Sequence, residues 1–399
     1  MINEVKIKNF KSVADATLSL GRFNILIGSN GSGKSNILEA IAFGGAASAD
    51  KLDNEFLGSR GIRTSEARLM KSAFSQNSFT NPIQLDFKID EEEFHFTLEE
   101  EERPILKWFL KERNEIEESL VKSYFSKFFN EIERLKKIES TDEEWKKRIE
   151  QLHKEVKELS EEEIETAIVA LNSKNFYGRV PLKNELSDFN IYSPEISSLR
   201  KIDDESQIKP LGIKGEGLFD VLQIFNENYG EETINELKKY LHLIEWFDDF
   251  EAVNDKTTGR KSLVVKDRYI KDIRLNQSNI NEGFLFLLFY ISLFISKETP
   301  TFFAIDNIEA SFHPRLCEKL IKDLVVLSKT HNKQIILTTH NPFVLDGLDL
   351  NDTEQRLFVV RRNADGETIA DPILTPPKNV KLSEAWNRGY IGAQPDTIE

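Results

Sequence analysis

The sequence predicts an α/β fold built around a parallel or mixed sheet, and three observations support this prediction. A strand pattern at residues 23–27 is followed by a glycine-rich loop and an apolar helix pattern at residues 37–43. Strand and helix patterns then alternate through the last third of the chain, which is typical of parallel strands covered by helices on both faces. Residues 2–27 alternate between apolar and polar side chains, which predicts antiparallel strands at the N-terminus.

The N-terminal part of the chain contains four predicted strands. Two lie within residues 2–27, with a turn at Gly21 between them, and two lie at residues 83–89 and 94–98. Residues 46–80 are small and polar, and therefore predict a loop region.

A change of composition after residue 98 predicts a helical insertion. Residues 99–171 are rich in Glu, Lys, Leu and Ile, and we expect two long helices at residues 104–138 and 142–171. Thr141 and Glu144 fit a capping box at the start of the second helix. Because the heptads are irregular, the pattern favours a packed helical hairpin over an extended coiled coil.

The remaining elements complete a division into three parts. They are predicted helices at 217–227 and 233–243, a hairpin at 247–265, a helix at 283–295, a strand at 300–305, a helix at 314–328, a strand at 334–338 and a hairpin at 357–374. The parts are an N-terminal lobe at 1–98, the insertion at 99–175 and a C-terminal lobe at 176–399.

Composition predicts a cytoplasmic protein that does not enter a membrane. The longest apolar run, at residues 284–295, has the length of a core helix, and no run reaches 18 residues. The N-terminus has a charged strand pattern, and the single Cys317 excludes an internal disulfide. The net charge of −15 is concentrated in residues 90–165, which hold 25 acidic and 14 basic residues. An acidic surface opposes unspecific binding to nucleic acid but leaves room for a local basic groove.

The loop after the first buried strand predicts a nucleotide-triphosphate site. Residues 28–36 read GSNGSGKSN, and the glycines allow successive amides to point at phosphate oxygens. The anion would lie at the positive end of the following helix, where Lys34 reaches the terminal phosphates and Ser35 completes the shell of Mg²⁺. The predicted nucleotide-binding residues are Gly28, Ser29, Asn30, Gly31, Ser32, Gly33, Lys34, Ser35 and Asn36.

Two later strands end in polar side chains that suit the same site. The strand at residues 301–305 leads to Asp306, which we expect to hold Mg²⁺ directly or through water. The strand at residues 334–338 leads to His340, which is placed to sense the γ-phosphate from a neighbouring strand end. The ordinary alternatives are a helix-capping Asp and a core His.

Asn281 and Gly283 precede the apolar helix pattern and predict a second anion-binding helix end. This end could grip the γ-phosphate of a nucleotide held by a second protomer. An ordinary helix cap is the alternative, and the residues alone leave both open.

These segments together resemble the ABC-type ATPase heads of the SMC, RecF and OLD group. The segments are GSNGSGKSN at 28–36, INEGF at 280–284, AIDNIEASFHP at 304–314 and TTHNPFVLD at 338–346. Within that group the chain looks like the stand-alone bacterial AAA-family ATPases that are often encoded beside a nuclease in anti-phage defence operons. The likeness covers the first 45 residues, residues 211–222 and most of residues 275–392.

The resemblance implies a P-loop NTPase head that uses ATP and Mg²⁺. It identifies residues 28–35 as the Walker A loop, Asp306 as the Walker B acid and His340 as the switch histidine. It also places Asn281 and Gly283 at the signature positions that complete a partner's site, and residues 311–314 in the loop between protomers. Finally, it implies that Lys11 contacts nucleotide and that Gln76 contacts metal and water.

One position departs from the family pattern. The Glu that usually follows the Walker B acid and acts as general base is Asn307 in this chain. A carboxamide can orient water but cannot take up a proton. Either Glu309 supplies the carboxylate, or turnover is slow and the ATP-bound dimer persists. We expect a slow, switch-like ATPase.

The predicted function is a homodimeric nucleotide switch that senses infection or DNA and controls a separately encoded effector nuclease. The alternative is a RecF-like or SMC-like repair ATPase that binds DNA directly, for which the sequence offers only one thin basic run: Arg60, Arg63, Arg68 and Lys71. A transporter motor is disfavoured, because 272 residues separate Lys34 from Asp306.

Overall fold

A computed structural model gives the fold of the protein. It describes residues 1–74, 80–101, 107–113, 185–202, 209–255, 260–270, 273–309, 312–375, 377 and 380–392. The chain divides into two compact units, one formed by Met1–Lys111 with Leu182–Glu399 and the other by Glu112–Pro181. Nearly all of the second unit lies outside the described residues, and so does the predicted helix at 142–171.

The strands and helices of the described residues have the following bounds. The strands are β1 Ile2–Phe10, β2 Val13–Ser19, β3 Phe23–Ile27, β4 Ile83–Ile89, β5 Glu92–Glu101, β6 Lys107–Arg113, β7 Ile191–Tyr192, β8 Phe247–Asp255, β9 Arg260–Asp267, β10 Arg274–Asn276, β11 Phe302–Ile305, β12 Gln334–Thr339, β13 Gln355–Arg362 and β14 Thr368–Pro372. The α-helices are α1 Lys34–Ser48, α2 Asn54–Ser59, α3 Ala67–Met70, α4 Ile196–Leu199, α5 Leu218–Ile224, α6 Gly230–Leu241, α7 Glu282–Ile295, α8 Pro314–Thr330 and α9 Leu382–Asn387. A π-helical turn, Phe225–Tyr229, joins α5 to α6, and a 3₁₀ turn, Pro342–Gly347, follows β12.

The central sheet confirms the predicted parallel core. It has six strands in the order β14-β13-β3-β12-β11-β7, and every neighbouring pair is parallel except β13 with β14. All residues of β3, β11 and β12 are buried, as expected for strands that helices cover on both faces.

Successive side chains of these strands pack into two separate cores. Phe303 and Ile305 of β11 lie in one apolar cluster with α7, whereas Phe302 and Ala304 lie in another cluster with α1. The period of two in a strand produces this division, because neighbouring side chains point to opposite faces of the sheet. Helix α7 is buried along its length from Gly283 to Ile295, which explains its continuous apolar sequence.

A second sheet, antiparallel and ordered β2-β1-β4-β5-β6, covers the α1 face, and β8, β9 and β10 form a third. Residues 2–27 hold three strands, so the prediction of two strands was wrong. Lys11 adopts a left-handed backbone conformation with φ 47°, which closes the tight β1–β2 turn without a glycine or proline. The predicted loop at 46–80 also contains the end of α1 and the short helices α2 and α3.

The predicted helix at 104–138 was wrong at its start, because residues 107–113 form strand β6. Trp108 is buried and packs edge-on against Phe43 of α1 at 5.2 Å between ring centres, whereas the next residue, Phe109, is exposed. This alternation is that of a strand, which pairs with β5 at the sheet edge. The proposed lobe boundary after residue 98 falls inside β5, and the three-part division stays a prediction.

In the part of the chain that the structure describes, no helix combines the length and the apolarity that a bilayer crossing requires. The described segments of the first unit form three sheets, and we call this unit the head.

Gln334 joins the two larger sheets, and its loss is predicted to destabilise the head. Its buried carboxamide accepts from Ile2 N at 2.9 Å and donates to Ile2 O at 2.7 Å and Gly21 O at 2.8 Å. Gln334→Leu would leave these buried groups unpaired, and we expect the free energy of unfolding to fall by about 2–4 kcal/mol. Chemical denaturation measures the change. Gln84→Leu, at an exposed position of β4, should stay within ~0.5 kcal/mol; equal effects for both variants would contradict this role.

Candidate functional site

The glycine-rich loop, residues 28–33, lies between the end of β3 and the start of α1. Gly31 and Gly33 have positive φ angles of 76° and 110°, which side-chain-bearing residues rarely adopt. A Cβ atom on Gly28 would lie 2.1 Å from Val360 O, and one on Gly33 would lie 2.0 Å from the Thr368 hydroxyl oxygen. The β13–β14 hairpin therefore presses directly against the loop, and glycine is required at both contacts.

Lys34 begins α1 and folds back over the loop. Its ammonium is buried and donates to Gly28 O at 2.8 Å and Ser29 O at 3.1 Å. Burial lowers the pKa of Lys34, while the carboxylates of Asp306 and Glu309 oppose that shift. The three predicted residues, from separate parts of the chain, thus lie close enough to interact.

Asp306 follows β11 and lies beside Ser35, as the sequence predicted. The Ser35 hydroxyl donates to Asp306 Oδ2 at 3.3 Å. Thr338, at the end of the adjacent strand β12, donates its hydroxyl to Asp306 Oδ1 and accepts from Asn307 N at 2.9 Å. Thr338 thereby orients the carboxylate. Sequence reasoning missed this residue, although its position at a strand end, two residues before His340, was an available signal.

Glu309 and His340 lie together at the same edge. The backbone N–H of His340 donates to Glu309 Oε1 at 2.8 Å, and Glu309 Oε2 is buried without a hydrogen-bond partner among the described residues. Burial, and then the nearby Lys34, lower the pKa of the His340 imidazole, which favours the neutral ring. Asn307 is exposed and has a left-handed backbone with φ 57°.

A cavity of about 710 Å³ opens beside the loop and is lined by both aromatic and basic side chains. Lys11 and Arg63 line it, and both form ion pairs with Glu39, a buried carboxylate of α1. On the other side, Arg362 donates to Gly31 O at 3.0 Å, and its guanidinium lies 5.7 Å from the centre of the Phe74 ring. The lining thus combines the Phe74 ring, which could pack against a nucleoside, with cationic side chains.

Side-chain hydrogen bonds support the glycine-rich loop through contacts that were not predicted from the sequence. The Asn36 carboxamide donates to the Ser12 hydroxyl at 2.7 Å. The Ser12 and Thr368 hydroxyl oxygens lie 2.7 Å apart, and the Thr368 hydroxyl donates to Ser32 O at 2.8 Å. Since Ser12 and Thr368 are 356 positions apart, only folding brings them together.

Several other predicted residues lie elsewhere. Asn281 is the N-cap of α7, where its exposed side chain makes no capping hydrogen bond, and Gly283 is buried in the first turn. Gln76 and Ser311 lie outside the described residues.

The basic run that was predicted as a candidate DNA-binding surface is largely occupied by internal contacts. Arg60 donates to Asn190 Oδ1 at 2.7 Å and Arg63 pairs with Glu39. Lys71 is buried and pairs with Glu100 at 2.6 Å.

The residues present fit Mg·ATP. Side chains would fill the cradle at Gly28 and Gly33, so the free space there depends on glycine. The Ser32 hydroxyl is buried and, among the described residues, lacks a hydrogen-bond partner, as expected of a group that a phosphate oxygen would complete. Ser35 and Asp306 offer adjacent hard oxygens, which are the ligands that Mg²⁺ prefers.

This fold and site define a nucleotide-binding ATPase whose fold is that of an SMC head. A sequence profile described as "AAA ATPase domain" matches residues 1–345, and the chain belongs to that family. A search of curated proteins found no match.

One solved structure of an SMC head shows the same fold, and two further SMC heads are also similar to this chain. An SMC head bound to the C-winged helix domain of ScpA is 15% identical, with a TM-score of 0.53 over 93% of this chain and 98% of that chain. The SMC head from Pyrococcus furiosus with an extended coiled coil, bound to the C-terminal domain of ScpA, is 16% identical, with 98% of each chain covered and a TM-score of 0.48. The SMC head from Thermotoga maritima is 15% identical, with coverage of 93% and 98% and a TM-score of 0.43.

Glu39→Gln is predicted to loosen the wall of the cavity. Glu39 is 3% exposed and pairs with both Lys11 and Arg63, so its replacement leaves Lys11, only 12% exposed, without this counter-charge. We expect a loss of about 1–3 kcal/mol in the free energy of unfolding, measured by chemical denaturation. Glu354→Gln is the matched control, because Glu354 pairs with Arg22 and Lys329 at the surface and should cost ~0–1 kcal/mol. A larger effect at Glu354 would refute the assignment.

Proposed function

We propose that this ATPase is a cytoplasmic, dimeric nucleotide switch that controls a separately encoded effector nuclease in anti-phage defence. The observation that carries the nucleotide-switch part of the proposal is the meeting of Lys34, Ser35 and Asp306 at one sheet edge, while Asn281 faces solvent on another element. Such a site can bind nucleotide in one chain and needs a second chain to enclose it.

The proposed role of each group follows from its chemistry. Amides of residues 28–34 and the start of α1 bind the β- and γ-phosphates, and Lys34 moves from its carbonyl acceptors to a phosphate oxygen. When bound, Mg²⁺ would supply charge neutralisation between the phosphates, with Ser35 and Asp306 as its protein ligands. Lys11, Arg63 and Arg362 bound the space for the nucleoside.

In the proposed dimer, the second copy contributes the signature residues Asn281 and Gly283. Asn281 and Gly283 lie at the positive end of α7, and the Asn281 side chain caps nothing in its own helix. In the proposed sandwich this end of α7 meets the γ-phosphate held by the partner's loop. The differential binding of ATP to the closed pair is what would drive closure.

The part of the predicted insertion that follows β6, residues 114–175, is the proposed contact to the effector. The resemblance to ATPases encoded beside nucleases supports a nuclease as that effector, and closure of the heads would change the spacing of the two insertions. A direct DNA-binding role is the alternative, but three of its four candidate residues already have internal partners.

We propose Glu309 as the general base and slow turnover as the consequence of Asn307. Glu309 Oε1 is fixed by the His340 backbone, which leaves Oε2 as the oxygen that could accept a proton from water. Asn307 cannot accept a proton.

Lys34→Ala tests nucleotide binding and dimer formation together. We expect affinity for a fluorescent ATP analogue to fall about 100-fold, because a charge-assisted contact to phosphate is lost. ATP-dependent dimerisation, measured by light scattering, should disappear with it. Lys329→Ala, at an exposed surface position, is the control and should change neither property.

The effector is tested with the same two variants. Wild-type and Lys329→Ala proteins, co-expressed with the product of the adjacent gene, should retain a nuclease on purification with ATP, and Lys34→Ala should not. Unchanged nucleotide affinity in Lys34→Ala would refute the site, whereas intact dimerisation without a co-purifying nuclease would refute the effector alone.

Glu309→Gln tests the base. We expect kcat for ATP hydrolysis to fall by about 100-fold with little change in ATP affinity, since removal of a general base affects the chemical step. Asn307→Glu should raise kcat, and Asn307→Ala should leave it within about threefold. Many turnovers per second in wild type, with Glu309→Gln unaffected, would exclude both the slow switch and the assigned base.

A further inference from the structure

The guanidinium of Arg200 binds the turn at residues 276–280 that leads into α7. Arg200 Nη1 donates to Gln277 O at 2.9 Å and to Ser278 O at 2.5 Å, and Nη2 donates to Ile280 O at 3.0 Å. The three carbonyls belong to the residues directly before Asn281.

The turn itself is tight and offers these carbonyls as a group. Ser278 N donates to Asn276 Oδ1 at 3.1 Å, and Ile280 N donates to Asn276 O at 3.1 Å. The amides are thus used within the turn, and the carbonyls converge on Arg200. The Ile280 side chain is buried, so the turn is held by apolar packing of Ile280 as well as by the hydrogen bonds from Arg200.

The fork of an arginine suits this contact better than a lysine does. A guanidinium presents several N–H donors in a rigid plane, so that one side chain can hold three acceptors in a fixed relation. Hydrogen bonds from a charged donor are also stronger than neutral ones. The position of Asn281 relative to the rest of the head is therefore defined by Arg200 more than by the exposed turn alone.

Arg200 comes from a segment that also touches the nucleotide edge. It is the C-cap of α4, eight residues after Tyr192 of β7. The carbonyl of Tyr192 accepts from Asp306 N at 2.9 Å. One short stretch of chain thus contacts the predicted Walker B acid at one end and the turn before α7 at the other.

We infer that Arg200 is a positioning residue for the trans half of the ATP site. It holds the turn at 276–280 so that Asn281 and the first amides of α7 meet the partner's nucleotide. This inference rests on the proposed function, because it assigns Arg200 to the sandwich and not to nucleotide binding within one chain.

The test separates binding by one chain from closure by two. Arg200→Ala and Arg200→Lys are compared with wild type for affinity toward a fluorescent ATP analogue at protein concentrations where the chain is monomeric, and for the dissociation constant of the dimer in saturating ATP. We expect unchanged monomer affinity, a dimer dissociation constant about tenfold higher in Arg200→Ala, and a smaller increase in Arg200→Lys. Arg22→Ala is the matched control, because Arg22 donates to Glu354 and Asn332 at the opposite end of β3 and should leave both constants unchanged.

The remaining outcomes contradict the inference in distinguishable ways. Unchanged dimerisation in Arg200→Ala overturns the role of Arg200 alone. Parallel loss of monomer affinity, dimerisation and melting temperature would make Arg200 an ordinary brace of the fold, and Arg200→Lys decides this point if Arg200→Ala does not fold. Absence of an ATP-dependent dimer in wild type overturns the proposed function, and this inference with it.

Discussion

The site depends on the parallel pairing of β3, β12 and β11. In this register Ile27 lies beside Thr339, and Leu337 lies beside Ile305, so that the three strands end at one edge. Parallel strands necessarily present their carboxyl ends together, and the crevice outside those ends is where ligands bind in such sheets. Had one of these strands run in the opposite direction, Asp306 or His340 would lie at the far end of the sheet from Lys34. The chemistry thus follows from strand direction before it follows from any side chain.

A second constraint is the close approach of the β13–β14 hairpin to the glycine-rich loop. Val360 O and Thr368 lie within contact distance of positions where a Cβ atom could not fit. The loop is therefore shaped from outside as well as by its own glycines, and Arg362 adds a hydrogen bond to Gly31 O. A preformed loop loses less conformational entropy when phosphate binds than a mobile one would. The hairpin is distant in sequence from the loop, yet it is part of the binding device.

Charge is distributed in the head according to burial. The described basic groups around the loop are either hydrogen-bonded to carbonyls, as Lys34 is, or paired with a carboxylate, as Lys11 is with Glu39. A buried charge without such partners would be costly. Nucleotide phosphates offer stronger acceptors than carbonyls do, which gives Lys34 a reason to exchange partners on binding. In the proposed sandwich, the exposed Asn281, which follows the carbonyls bound by Arg200, would face the second molecule.

The sequence by itself determined those features in which a short segment carries its own physical signal. The strand, glycine-rich loop and helix at 23–48 needed only local geometry, and the apolar run at 284–295 could only be a buried helix. The alternation of the last third predicted the parallel sheet, and with it the meeting of Lys34, Asp306 and His340.

Tertiary structure alone decided the rest. Strand β6 forms because an edge of the second sheet and Phe43 receive Trp108, and β2 forms because Lys11 can turn the chain without glycine. Thr338, Glu39, Thr368 and Arg200 acquire their contacts from residues 24 to 356 positions away, and such contacts leave no periodic trace in a single sequence. A local sequence pattern reflects backbone preference, whereas tertiary packing determines which group a polar side chain contacts.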